Sequence, residues 1–293
     1  MKDAAKLLAY FAATLLFGAL SAPPLYWAAQ WLMTRGISPF LAEYDFERFF
    51  HRALLVGAIL FFWPLLRSLR IRNWRGLELQ PNAHRWRDVR AGFFIAVVPL
   101  LFLAVLLFQL GAYGFRREIS LMELGERTVS AMVVPFLEEP LFRGLILGVL
   151  MRSSPAWLAA LLTSAVFSIL HFLKAPEHSS TDVTWTAGFV SIANAFHQFG
   201  EPFLLLAGFT TLFLLGYILA DARIRTRSLW LPIGLHAGWI FASAAFNKIA
   251  RREFNALPWL GENLLIGIAP LCIALVSWLM LRAWLYHVQT PET

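Results

Sequence analysis

Glu138 and Glu139 stand side by side inside an apolar stretch running from Thr128 to Leu150, and Arg143 follows in the run Glu-Glu-Pro-Leu-Phe-Arg-Gly. A charged side chain at the centre of a membrane helix costs about 2.5–3.5 kcal/mol on insertion scales, so two carboxylates there point to use. Glu139 and Arg143 are i and i+4, the spacing at which an acid and a base meet one turn apart and neutralise each other. Glu138 is rotated from Glu139 by about 100° on a helix, so it needs a partner of its own: a residue, a water or a metal. In a dry site its proton affinity rises unless a cation or hydrogen-bond donors offset the desolvation, which suits a general base working near neutral pH.

Two histidines on later apolar stretches could converge on it, His171 in Phe-Ser-Ile-Leu-His and His236 in Pro-Ile-Gly-Leu-His-Ala-Gly. Two imidazoles and one carboxylate leave an open position for water on a zinc-like ion. The same three groups could instead orient a water by hydrogen bonding alone, with Glu138 as base. A Glu-Arg pair by itself can be a structural tie that fixes helix register, and a lone buried histidine is often a satisfied core residue. An additional unpaired glutamate with two intramembrane histidines favours a site. His51, His84, His178, His197 and His287 fall in loops or at expected interfaces, where a solvated role is the simpler reading.

The elements that must position these groups are membrane helices. Of the 293 residues 59% are hydrophobic and 15% charged, and the apolar residues come in long blocks. This is the pattern of a polytopic all-α membrane bundle, with spans expected at 6–32, 51–69, 91–112, 126–151, 155–173, 202–220, 229–246 and 260–284. A single membrane domain is expected over 1–293, with the residues that could do chemistry inside 128–246. The first block is too long for a cleavable signal peptide, and Pro23-Pro24 reads as a kink within a span. With one cysteine, Cys272, the chain can form neither an intrachain disulfide nor a cysteine-based metal site.

The formal charge of +7 does not gather into a patch that would suggest nucleic acid. Arginines 67, 70, 72, 75, 85, 87 and 90 crowd the loop between the second and third spans, with Trp74 and Trp86 placed to rest at headgroup level. This marks a cytoplasmic loop, and Lys248, Arg251 and Arg252 then lie on the outer side. The apolar run Val183 to Phe196 is either a re-entrant or interfacial helix capping a cavity or part of a plain outer loop. Gly144 and Gly148, and Gly234 and Gly238 around His236, have the four-residue spacing that lets helices approach closely in lipid.

Glu138-Glu139-x-x-x-Arg143, then Phe167-x-x-x-His171, then His236, in that order on separate spans, resembles the CAAX-protease and bacteriocin-processing (Abi, or type II CAAX prenyl endopeptidase) family of intramembrane peptidases. The motifs cover residues 136 to 240. The resemblance implies an eight-helix bundle whose polar cavity hydrolyses a peptide bond in a membrane-associated protein or peptide reached through the lipid bilayer. It implies that Glu138 activates water, that Glu139 and Arg143 hold the helix and its electrostatics, and that His171 and His236 bind a metal such as zinc or, without one, the water and the oxyanion. Glu138, His171 and His236 are then the expected metal ligands if a metal is used. The expected location is the plasma membrane of a bacterium.

One position departs from the family pattern. An Asn or Asp is expected one turn after the third-motif histidine, where this chain has Ile240. Asn247 lies about 16 Å along the helix from His236, too far to substitute, which leaves Asn194 as a replacement. The departure favours an alternative from another class, a peptide-resistance or immunity factor or a scaffold that keeps the polar cluster for binding. Other intramembrane proteases do not fit: there is no His-Glu-x-x-His, no Gly-x-Gly-Asp and no serine elbow. A proton-coupled transporter is disfavoured by the lack of an internal repeat.

Overall fold

In this computed structural model the chain is described over residues 2–39, 41, 44–172, 183–196, 202–254, 259, 264 and 267–289. The elements in order are α1 (Lys2–Thr34), α2 (Phe46–Ser68), a short 3-10 turn (Trp74–Leu77), α3 (Arg85–Gln109), β1 (Tyr113–Phe115), α4 (Leu121–Glu139), a π-helical turn (Pro140–Ile146), α5 (Leu147–Leu150), α6 (Ala156–Phe172), α7 (Ala187–Ala195), α8 (Pro202–Thr226), α9 (Trp230–Ile249), β2 (Ala250–Arg252) and α10 (Ile268–Gln289).

The protein is a multi-pass, all-α membrane protein. Among the described residues, five helices are long and apolar enough to cross a membrane: α1, α2, α3, α8 over Leu206–Thr226 and α10 over Ile268–Val288. The other three expected spans also coincide with helices, the α4–π–α5 run, α6 and α9, which are shorter or carry more polar groups. Large apolar side chains such as Leu20, Ile59, Leu60, Phe94, Phe102 and Leu279 point outward from these helices. A water-soluble fold would bury such a coat, whereas lipid is its natural solvent.

The chain forms two compact units, one of residues 1–72 with 170–202 and the other of 73–169 with 203–293. In the first unit α1 and α2 interlock through small residues. Gly18 lies under the Leu54 side chain and Gly57 under the Phe17 ring, an exchange of small for large that brings two backbones close. Pro23 and Pro24 stay within the helix. Proline has no N–H, so Pro23 cannot bond the Ala19 carbonyl one turn back, and Gly188 of α7 backs directly onto that carbonyl. The Trp27 indole donates to the Val183 carbonyl at 3.2 Å and meets Trp185 edge to face. The apolar run Val183 to Phe196 therefore holds a helix, α7, docked on α1, and not a plain loop. The polar residues before it, His178 to Asp182, and His197 after it lie outside the described residues.

The second unit is organised on the pairing of α3 with α9. A side chain at Gly234 would collide with the Val89 carbonyl, one at Gly238 with the Phe93 carbonyl, and one at Gly92 with the Leu231 carbonyl, so the two backbones touch with nothing between them. Leu100, Leu103 and Leu107 of α3, Leu235, Trp239 and Phe246 of α9, Ile218 and Leu219 of α8, and Leu281 and Leu285 of α10 fill the core around this pair. At one end β1 and β2 pair antiparallel, with Tyr113 opposite Arg252 and Phe115 opposite Ala250. At the other end the loop after α2 is built into the bundle: Leu77 is fully buried, the Leu229 N–H donates to the Glu78 carbonyl, and the Trp230 indole donates to the Gln80 carbonyl. Gly144 packs against Leu77, so its small size serves this loop and not a second helix.

Candidate functional site

The site grows from the break at the end of α4. Pro140 cannot donate to the Phe136 carbonyl one turn back, so the α-helical ladder fails immediately after Glu139. The backbone continues as a π-helical turn, closed by the Leu147 N–H donating to the Phe142 carbonyl five residues earlier. The sequence pattern predicts a continuous α-helix here, and the wider turn is the difference. Wide turns of this kind are frequent at functional sites.

Arg143 sits within this turn and is fully buried with Glu139. Its Nη1 donates to Glu139 Oε1 at 2.9 Å and its Nη2 to the Gly216 carbonyl of α8 at 3.3 Å. The guanidinium lies 4.3 Å from the centre of the Phe167 ring and 5.6 Å from that of Phe142. A buried charge persists only when paired and hydrogen-bonded, and these contacts give the Arg143 guanidinium a carboxylate, a carbonyl and an aromatic face as partners. Gly216 makes this possible, since it is the point where α8 meets Ser164 and Phe167 of α6.

His236 enters from α9. Its Nδ1 is 2.7 Å from Glu139 Oε1, and its Nε2 is 3.9 Å from Glu138 Oε2. Nδ1 therefore faces the Glu139 oxygen that also takes Arg143, which is placed to accept its N–H, and Nε2 faces Glu138. One imidazole thus stands between two consecutive glutamates. The Glu138 side chain is 29% exposed where that of Glu139 is 0%, and the Glu138 Oε2 that faces His236 is on its buried side. The Phe167 ring packs edge-on against His236, 6.0 Å between centres, and holds its plane.

The structure brings Glu138, Glu139, Arg143 and His236 together in one unit. His171 occupies the exposed last turn of α6, one turn beyond Phe167, and is grouped with the other unit. Asn194 lies half-buried on α7, also in that unit. Ile240 takes the place one turn after His236, where the Ser243 hydroxyl donates back to the Trp239 and Ile240 carbonyls. Among the described residues no three His, Cys, Asp or Glu side chains stand close enough to hold a metal ion. The Glu139 oxygen that takes Arg143 also takes His236. The Gly216 carbonyl and the Phe167 ring carry the rest of the arrangement.

Chemically, the arrangement is a carboxylate and an imidazole nitrogen facing each other across a gap too wide for a direct hydrogen bond. A water about 2.8 Å from each would see the two acceptors at an angle of about 90°. Both water protons would then be engaged and an oxygen lone pair would face outward.

Residues 120–242 match the family model described as type II CAAX prenyl endopeptidase Rce1-like. No curated protein and no solved structure matches the chain.

Proposed function

Through residues 120–242 the chain belongs to the type II CAAX prenyl endopeptidase Rce1-like family, and from that premise we propose that it is an intramembrane endopeptidase whose attacking water is activated by Glu138. The observation that carries the reading is the single imidazole of His236 set 2.7 Å from Glu139 and 3.9 Å from Glu138. Glu139, neutralised by Arg143, keeps the Nδ1 proton in place, and His236 Nε2 accepts one hydrogen of the water. Glu138 takes the other as the oxygen attacks the peptide carbonyl. The new C–O bond forms, the C–N bond breaks, and Glu138 passes its proton to the departing amine nitrogen. The burial of Glu139, Arg143 and His236 strengthens each of these contacts.

The substrate class that fits is a membrane-associated protein or peptide. His236 lies six residues into α9, about 9 Å from the end tied to the arginine-rich loop, and 14 residues before β2, about 21 Å from the small sheet. The water-bearing group is therefore nearer the arginine-rich face, which is the cytoplasmic one by the positive-inside rule. We place the scissile bond close to that face.

A metal-assisted version would hold the ion with Glu138 and His236. It is favoured by the imidazole handing its other nitrogen to a carboxylate, as metal-binding histidines do. Ile240 favours the non-proteolytic reading, a binding or scaffold protein that retains the cluster. The deciding experiment is cleavage of a quenched membrane-peptide library by the protein in lipid, wild type beside Glu138→Gln, with and without a chelator. Cleavage lost in the variant and indifferent to chelation is the expected result. Loss on chelation selects the metal-assisted version, and no cleavage by the wild type selects the binding protein.

A further inference from the structure

At the end of the second unit where the arginine-rich loop enters α3, a pocket of about 220 Å³ lies among the start of α3, the turn from α8 to α9, and the last turns of α10. One side is polar, with Asn82, Arg87, Arg225 and Ser228, and the other is apolar, with Trp284, Leu285 and Val288. We propose that this pocket binds the phosphate headgroup of an anionic glycerophospholipid.

Charge supports it first. Arg87 places Nε and Nη2 on Asp88 Oδ1, at 3.2 and 3.1 Å, and Arg225 places Nε on Asp221 Oδ1 at 2.8 Å. Asp221 also takes Arg282 and the Trp278 indole from α10. Three arginines thus share two aspartates, so the cluster carries one uncompensated positive charge. Both carboxylates are already engaged by cations, which removes the repulsion that Asp88 would otherwise offer an anion. A guanidinium has five donors in a planar fork suited to phosphate. Among the described residues, these bonds spend only two of them on Arg87 and one on Arg225.

Shape supports it second. The Arg87 guanidinium rests 5.6 Å from the centre of the Trp284 ring, with an apolar wall continuing to Val288. Free phosphate has no use for such a wall, and an apolar ligand has none for the arginines. The volume equals that of roughly seven waters, enough for a phosphate and the glycerol carbons beside it. The acyl chains would then run outside along the helices. Basic pockets between helix ends on the cytoplasmic side are where anionic headgroups are held.

The test is native mass spectrometry of the delipidated full chain in detergent, titrated with phosphatidylglycerol, with phosphatidylcholine, and with phosphatidylglycerol in the presence of equal inorganic phosphate. One phosphatidylglycerol should be retained per chain in preference to phosphatidylcholine, and inorganic phosphate should not displace it. Arg225→Gln and Arg87→Gln should each weaken retention about fivefold, and Arg225→Lys should restore most of it. Arg90→Gln, which removes a nearby arginine that bonds the Trp86 carbonyl and does not line the pocket, should leave retention unchanged. Val288→Glu keeps every ion pair and adds a negative charge at a part-exposed rim, so it should abolish retention in a chain that folds. Equal retention of both lipids, or an equal loss in Arg90→Gln, overturns the pocket in favour of diffuse surface attraction. Displacement by inorganic phosphate overturns the lipid. The readout needs no protease activity and stands apart from the Glu138 reading.

Discussion

Two ion pairs of the second unit have the same local pattern, an acid bonded to an arginine four residues later, one being Glu139 with Arg143 and the other Asp221 with Arg225. In the first pair both side chains are fully buried, and the acid is shared with His236 beside a second, more accessible glutamate. In the second, the arginine is 38% exposed and the acid is shared with Arg282 and Trp278 of α10. The first cluster has more carboxylates than arginines. In the second, the arginines outnumber the carboxylate, and the cluster clamps α8 to α10. Spacing along a helix therefore specifies the pair, while its neighbours from other helices specify the use.

The largest separation between the two clusters should come from Glu138→Gln. Loss of a general base costs about 10²–10⁴-fold in turnover, with unfolding in detergent unchanged, whereas Asp221→Asn should cleave peptide at the wild-type rate. Equal activity in both variants would end the distinction. Next is the counter-ion: Glu139→Gln strands a buried guanidinium and should destabilise the protein by about 3–5 kcal/mol. Asp221→Asn releases arginines that can reach water and should cost about 1 kcal/mol or less. Denaturant unfolding of both in one micelle measures the gap, and similar losses would mean that burial does not separate them.

A smaller effect is expected at the glycines. Gly234→Ala drives a methyl into the Val89 carbonyl beside His236 and should cost about 1–3 kcal/mol. Gly148→Ala meets only the Arg223 guanidinium at an ordinary 3.7 Å and should be neutral or slightly stabilising. Thermal melting ranks the two, and the reverse order would show that α3 and α9 can part cheaply.

The smallest effect concerns a third acid and arginine, Glu78 and Arg223, 3.1 Å apart. Burial pushes the Glu78 carboxyl above the usual carboxylate range, and Arg223 and Arg227 offset this only in part. A raised folded-state value means that its contribution is fully present below the ordinary pKa of about 4.3 and is lost as pH rises through the elevated one. Melting followed upward from acid pH should show a decline that Glu78→Gln lacks. Parallel curves for the two proteins would remove Glu78 from the pH response.

Much of the scaffold was legible from the sequence because spans announce themselves by length and apolarity: each expected segment overlaps a helix, and five of those helices, among the described residues, are long and apolar enough to cross a membrane. The order of Glu138, Glu139, Arg143 and His236 was legible too, since charge inside an apolar run is conspicuous. Three things were not. The sharing of Glu139 between Arg143 and His236 depends on how α9 is rotated against α4, which residue spacing within one helix does not encode. The Gly216 acceptor is a backbone carbonyl, which every residue possesses, so no side-chain signal marks it. The β1–β2 pair is three residues long on each strand, too short for alternation to show. The widened turn had a visible cause in Pro140, whose missing N–H forbids the bond that a regular helix needs there.

The bare contact between α3 and α9 has a mechanical consequence. Two backbones that touch at Gly92, Gly234 and Gly238 have no layer of side chains to slide or swing, so the pair behaves as one beam and His236 is riveted to it. On the opposite wall α4 buries only Ala131, Pro135 and Glu139, a single narrow stripe, and turns Val129, Met132, Val133, Phe136 and Leu137 outward. The gap between Glu138 and His236 thus has one stiff side and one lightly packed side, and whatever widens it must bend the helix that carries the glutamates.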